Sequence, residues 1–259
     1  MLKRAFQTLL VAVVVTGTLL AAQDPFVGTW KLNEAKSKLT GEQLRVEEFG
    51  GNKYAFTFGN VSNTLVADGT YQPIHFGRTR SITKQGPNLW KVVTKRGGRI
   101  LSSETWRLSQ DGKTMNIEMT GKQPDGSAFN YHWEGKRTAG TKGFAGTWES
   151  TQVKIGSPYV FEIKPYDGDG LSFYSPAEHE TLNLKFDGKD YPDTGPNVPA
   201  GSVSSGHRVD EHTLEMTNKI KGTVMSTAQF KVASDLEALT ITIREEGQSN
   251  PITIVYDRQ

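Results

Sequence analysis

The chain has 259 residues, 36% of them hydrophobic and 22% charged, with 27 glycines and no cysteine. That length allows one or two domains, and the apolar fraction is enough for packed cores, so wholesale disorder is excluded. The lack of cysteine excludes disulfides, thiolate metal sites, iron–sulfur clusters and a cysteine nucleophile.

Lys3 and Arg4 precede an apolar run, Leu9–Leu20, that Ala21-Ala22 and then Asp24 follow. A positive start, an apolar middle and small residues at the cut read as an export leader, residues 1–22, cleaved near Ala22. The run is short and broken by Thr16-Gly17-Thr18, below the ~18–20 residues that span a bilayer. The mature chain is therefore expected in the periplasm or outside a bacterial cell, with no membrane span. Removing the leader deletes two basic residues and no acid, leaving 28 of each sign. The sequence pI of 8.6 thus owes part of its basicity to the leader, and no nucleic-acid partner is implied.

Beyond the leader, Phe26-Val27-Gly28-Thr29-Trp30 opens a pattern that restarts at Phe144-Ala145-Gly146-Thr147-Trp148. Asp68-Gly69 before Tyr71-Gln72-Pro73 is answered by Asp187-Gly188 before Tyr191-Pro192. Arg99–Trp106 is answered by Thr223–Phe230, and Lys113–Ile117 by Glu237–Ile241. Four landmarks in the same order indicate a tandem duplication. Copy one spans 24–138 and copy two 144–259, with a seam near Thr138–Gly143. Copy two gains a Pro-rich loop at Pro192–Pro199.

Within each copy the segments alternate apolar and polar residues, as in Met115–Met119 and Ile241–Ile243, which predicts half-buried strands. Gly50-Gly51-Asn52, Asp68-Gly69, Gly86-Pro87-Asn88, Gly97-Gly98, Asp111-Gly112 and Pro124-Asp125-Gly126 punctuate them as turns. The reading is an all-β chain of two tandem antiparallel up-and-down barrels, roughly 8–10 strands each.

The Gly-Thr-Trp that opens each copy, followed by a strand-rich meander, resembles the lipocalin-like branch of the calycin barrels. That resemblance implies that Trp30 and Trp148 plug one end of their barrels. It also implies a basic residue of the last strand over each indole: Arg137 in copy one and Arg258 in copy two.

Comparing the copies assigns faces. Ile100, Ser102, Glu104, Trp106 and Leu108 alternate where copy two has Val224, Ser226, Ala228, Phe230 and Val232, so this set faces inward. Trp90, Val92, Met115, Ile117, Met119, Phe129, Tyr131 and Trp133 are read as inward too. Glu104 is the misfit, because a carboxylate inside a barrel is costly unless paired or wet. Arg78, Arg80 and Ile82 alternate, so an inward Ile82 brings Arg80 inside as a partner for Glu104. The candidate ligand-binding residues are Arg78, Arg80, Trp90, Glu104, Trp106 and Tyr131, all in copy one. Residues 23–140 carry 17 basic and 11 acidic groups and residues 141–259 the reverse, 11 and 17. Copy one would attract an anion, or the copies would dock through opposite fields. Copy two, with smaller inward residues and the Pro-rich loop, is expected to be filled or lid-covered.

The five histidines show no metal-ligand spacing, no nucleophile or phosphate-loop motif occurs, and Asp167-Gly168-Asp169-Gly170 reads as a hairpin turn. No catalytic residue, metal site or cofactor is assigned. Three function classes fit. The first is an exported binding protein for a small hydrophobic or amphipathic, conceivably anionic, molecule; the others are an envelope structural or interaction protein with filled barrels, and a barrel enzyme using an inward carboxylate.

Overall fold

The computed structural model describes residues 24–157 and 159–259, and of Thr141 the backbone alone. The leader assigned to residues 1–22 lies outside the described residues. Among them, no helix is long and apolar enough to cross a membrane. In chain order the strands are β1 (Gly28–Leu32), β2 (Gln43–Glu48), β3 (Lys53–Phe58), β4 (Val61–Val66), β5 (Gln72–Ile74), β6 (Arg78–Gly86) and β7 (Leu89–Arg96). Next come β8 (Arg99–Leu108), β9 (Thr114–Lys122), β10 (Ala128–Lys142), β11 (Ala145–Ile155), β12 (Val160–Tyr166), β13 (Gly170–Ser175) and β14 (Glu180–Leu184). The last six are β15 (Tyr191–Thr194), β16 (Ser202–Asp210), β17 (Thr213–Ile220), β18 (Thr223–Val232), β19 (Ala238–Glu245) and β20 (Ile252–Arg258).

They form two ten-stranded antiparallel barrels. A contiguous division at 24–138 and 144–259 is not how the sheets are composed, because the first strand of each copy is exchanged. Barrel one runs β4-β3-β2-β11-β10-β9-β8-β7-β6-β5, and barrel two closes β12 through β20 with β1. β1 lies between β12 and β20, while β11 lies between β10 and β2. The reason is local. β10 ends at Lys142 and β11 starts at Ala145, so Gly143-Phe144 forms a two-residue hairpin turn that leaves β11 no choice but to pair with β10. That fills the slot β1 would take in barrel one, and β1 occupies the equivalent slot in barrel two.

The exchange re-pairs the caps. Arg137 stacks on Trp148 at 4.1 Å and Arg258 on Trp30 at 4.2 Å, so each arginine covers the tryptophan of the other copy rather than its own. Arg258 donates to the carbonyls of Val27 and Pro25 at 2.7 and 2.6 Å, and Arg137 to those of Ala145 and Gly143 at 2.6 Å each. Each indole N–H donates to the phenylalanine carbonyl four residues earlier, at 2.9 Å. A side chain on Gly28 would collide with the Arg258 guanidinium, and one on Gly146 would meet the Ala139 carbonyl at 2.5 Å and the Arg137 guanidinium at 2.7 Å. Their positive φ, 156° and 147°, and this crowding together demand the glycine before each Thr-Trp. Trp30, Phe26 and Trp148 are fully buried, and complete burial of a side chain such as Phe26 contributes ~1.5–3 kcal/mol.

Barrel one is not closed by a ladder between β4 and β5. Instead the Gln72 side-chain amide imitates a peptide, accepting from Val66 N at 2.8 Å and donating to Val66 O at 2.7 Å. Gln248 uses the same device between the barrels, accepting from Gln43 N at 2.7 Å and donating to Gln43 O at 2.9 Å. Arg96 and Arg99 of barrel one hold the loop that precedes β16, through Pro196 O at 3.1 Å and the Asn197 side chain at 3.2 Å. Among the described residues no ion pair joins β2–β11 to the strands of barrel two, but the copies do meet as salt bridges elsewhere: Lys36 pairs with Asp257 at 2.8 Å, Lys136 with Glu149 at 3.2 Å, and Asp24 with Arg208 at 2.5 Å.

Burial alternates as expected for Ser102, Glu104, Trp106 and Leu108, and Trp90, Val92, Met115, Ile117 and Trp133 join the core of barrel one. Ile100 departs from its assigned face and is 53% exposed. A register shift after Thr94, which pairs Lys95 with Ile100, breaks the alternation there. The Asp167–Gly170 segment is the turn between β12 and β13.

Two outcomes follow from this joinery. A fragment of residues 160–259 is expected to lack a cooperative melt until a peptide of residues 24–38 is added, whereas residues 39–157 melt cooperatively alone. Unaided folding of 160–259 to the same stability would show that β1 is dispensable. At the joint, burial and then Glu245 push the Glu42 carboxyl up to about 7. The folded state keeps that proton while the unfolded chain loses it, so this contribution to stability falls as pH rises from the ordinary carboxylate range through about 7. Glu42→Gln is expected to raise the melting temperature near pH ~8 and change it little near pH ~4; a pH-independent gain would contradict this.

Candidate functional site

Three cavities meet at the joint: one of about 670 Å³ between Phe76 and Arg96 of barrel one and Pro199 and Met225 of barrel two, and two that share four wall residues and differ in character. The smaller of these two, about 360 Å³, lies in barrel one above Arg80, Thr94, Ser102 and Glu104. The larger of the two, about 520 Å³, lies in barrel two and is walled by Phe161, Phe173, Phe230, Ile241 and Tyr256, with Asp193, Ser202 and Asn218 as its polar side. Arg78, Tyr159, Glu180 and Asn197 border both. The larger volume falls within the ~300–1,000 Å³ of small-molecule sites.

Ladder positions explain why barrel two is the open one. In barrel one Trp90 faces Trp106, Val92 faces Glu104 and Arg80 faces Thr94. In barrel two the corresponding pairs are Leu214 with Phe230, Met216 with Ala228 and Ser204 with Asn218. Leu214, Phe230, Ala228 and Ser204 are smaller than Trp90, Trp106, Glu104 and Arg80, which leaves space, although Met216 is larger than Val92. Phe144, from the turn between β10 and β11, stacks on Trp90 at 4.1 Å, and its counterpart Phe26 is buried in the core of barrel two. Copy two, expected to be filled or lid-covered, is not filled: its barrel keeps a cavity, and Asn197, Val198 and Pro199 of the Pro-rich loop line it.

Glu104 sits where its misfit status suggested. Its side chain is 2% exposed and accepts from Arg80 at 3.3 Å, Trp106 Nε1 at 2.8 Å and Ser102 Oγ at 3.3 Å. Arg80 also donates to Thr94 Oγ1 at 3.0 Å. The pair is complete within the chain and forms a polar floor over the aromatic core. Of the six candidate residues, the structure brings Arg78, Arg80 and Glu104 to a cavity wall. Trp90 and Trp106 are buried in the packed core and line neither cavity. Tyr131 packs against that core with its ionisation suppressed by burial and then by Glu42, and it too lies outside both cavities.

Arg78 differs from Arg80. Its Nε is buried with no hydrogen-bond partner. Burial, then Arg96 and Arg80, lower its pKa, while Glu180 and Glu178 oppose this through space without an ion pair. Glu180 is pushed up to about 7 by burial, then by Glu178 and Asp193. Asp193 accepts from Ser202 Oγ at 2.6 Å, Ser204 Oγ at 3.0 Å and Asn218 Nδ2 at 3.0 Å.

Comparison with protein-family models, with curated proteins and with solved structures finds no match. The geometry thus stands as the basis for any functional reading.

Sequence reasoning missed Tyr159, Glu180, Asp193 and Asn218. Only Asp193 carried a signal, as an acid beside the Pro-rich insertion; the others come to the cavity through the joint between barrels. His132 and His207, by contrast, pair with Glu118 and Glu215 on their own barrels, away from both cavities.

The Arg80–Glu104 pair makes an asymmetric prediction. Arg80 retains a quarter of its side-chain exposure and Glu104 almost none. Arg80→Met, which strands the carboxylate, is expected to cost about 3 kcal/mol or more by denaturant melts, and Glu104→Ala less. The double change to apolar residues should cost less than Arg80→Met alone. The opposite order would place the burden on the arginine.

Proposed function

We propose that this is an exported, lipocalin-like two-barrel binding protein for a small, partly apolar anion. In this reading the apolar body of the ligand enters barrel two and its anionic group meets Arg78. The observation that carries the proposal is the buried Arg78 Nε, which has no hydrogen-bond partner among the described residues, at the border of both cavities. A half-buried arginine with no carboxylate in ion-pair contact among the described residues is costly, and a charged ligand offsets that cost through charge-assisted hydrogen bonds. Phe173 and Phe230 are only half-buried, which leaves aromatic surface for the apolar part. Barrel one serves as the scaffold that presents Arg78 and holds the loop before β16.

Glu180 favours a second reading. A carboxyl with its pKa raised to about 7 at a cavity wall is suited to proton transfer. Ser202 on the same wall donates to Asp193 at 2.6 Å rather than to Glu180, and the unpartnered Arg78 Nε makes binding the reading the geometry supports best.

The test is titration with an environment-sensitive apolar anion such as anilinonaphthalene sulfonate. None of the five tryptophans lines either cavity, so the readout is the emission of the probe. Arg78→Gln is expected to weaken binding about tenfold or more, the scale of a lost charged hydrogen bond. Unchanged affinity in that variant, or no binding by the native protein, overturns the proposal.

A further inference from the structure

We infer that the ligand is amphoteric, an apolar body bearing an anion and a protonated amine close together, with Asp193 receiving the amine. The inference rests on the preceding reading and names its ligand class. Asp193 lines the barrel-two cavity and accepts three hydrogen bonds, all from neutral groups: Ser202, Ser204 and Asn218. Ser202 and Ser204 are themselves buried, so the carboxylate is fixed in place while both charge and lone-pair capacity remain unused. No cation is within ion-pair distance among the described residues; the nearby Lys219 is engaged by Asp190 at 2.7 Å.

The comparison of barrels shows what is missing. In barrel one the polar layer holds a complete pair, Arg80 with Glu104. In barrel two the ladder position of Arg80 is Ser204, and that of Glu104 is Ala228. The acid of this layer is supplied instead by β15, and no described residue supplies the base. Barrel two therefore carries half of an ion pair inside a cavity.

A simple carboxylate ligand on Arg78 would add a negative charge beside Glu180 and Asp193, which already influence each other through space. An ammonium carried by the same ligand removes that repulsion and gives Asp193 a charge-assisted partner. The aromatic walls add to this, because ring faces attract cations. Arg78, Glu180 and Asp193 all line the one cavity, so opposite charges on a ligand need not be far apart.

Calorimetric titration with a matched pair tests the inference: 3-naphthylpropionate and naphthylalanine share the ring, chain length and carboxylate, and only the second carries an ammonium. The native protein is expected to prefer naphthylalanine by about tenfold. Asp193→Asn, which keeps the shape, should erase that preference while leaving naphthylpropionate bound as before or more tightly. Arg78→Gln should weaken both. Equal binding of the two probes by the native protein, or an equal loss of both in Asp193→Asn, overturns the amphoteric assignment and leaves the anion-binding reading intact. Failure of both probes and of the sulfonate dye to bind overturns the two together.

Discussion

Gly143 and Phe144 are all that separates the last strand of copy one from the first strand of copy two, and a connection of two residues admits only a hairpin. Every larger feature follows from that constraint. β11 is committed to barrel one by its neighbour in sequence, with little loop-closure cost. β1 must then travel to barrel two, where the near-identical Phe-x-Gly-Thr-Trp segment finds equivalent partners. The arginine caps are satisfied in both barrels because the exchanged strands are equivalent at each residue the caps touch.

The exchange also binds the barrels into one working unit. The chain crosses from barrel two to barrel one between Leu32 and Gln43, and returns between Ile155 and Val160. Tyr159 on the return crossing borders both cavities, and Arg78 from barrel one reaches the cavity of barrel two. The joint is sealed by amide and backbone hydrogen bonds, by Arg96 and Arg99 on the loop before β16, and by the Lys36–Asp257 ion pair on the crossing segment.

Duplication gives each barrel the same frame, and side-chain volume decides what each does with it. Two tryptophans and an internal ion pair occupy most of barrel one and leave the smaller cavity above that pair. Leucine, phenylalanine, alanine and serine at the matching positions leave barrel two open. The larger side chains mark the supporting barrel, since interiors pack to near-crystalline density and volume added to one wall is taken from the void.

The sequence by itself determined the all-β class, the tandem repeat and the inward, paired state of Glu104, and the resemblance of the Gly-Thr-Trp openings pointed to the cap residues. The first three are encoded by local periodicity or by matching positions within the two copies, and need no knowledge of distant contacts. Tertiary structure alone decided which copy completes which barrel, which arginine covers which tryptophan, and which barrel keeps the larger cavity. Strand exchange leaves periodicity and local pairing preferences unchanged, so no pattern along the chain distinguishes it. The site residues Glu180 and Asp193 become legible only once the joint brings Arg78 beside them, because their chemistry depends on neighbours more than a hundred residues away.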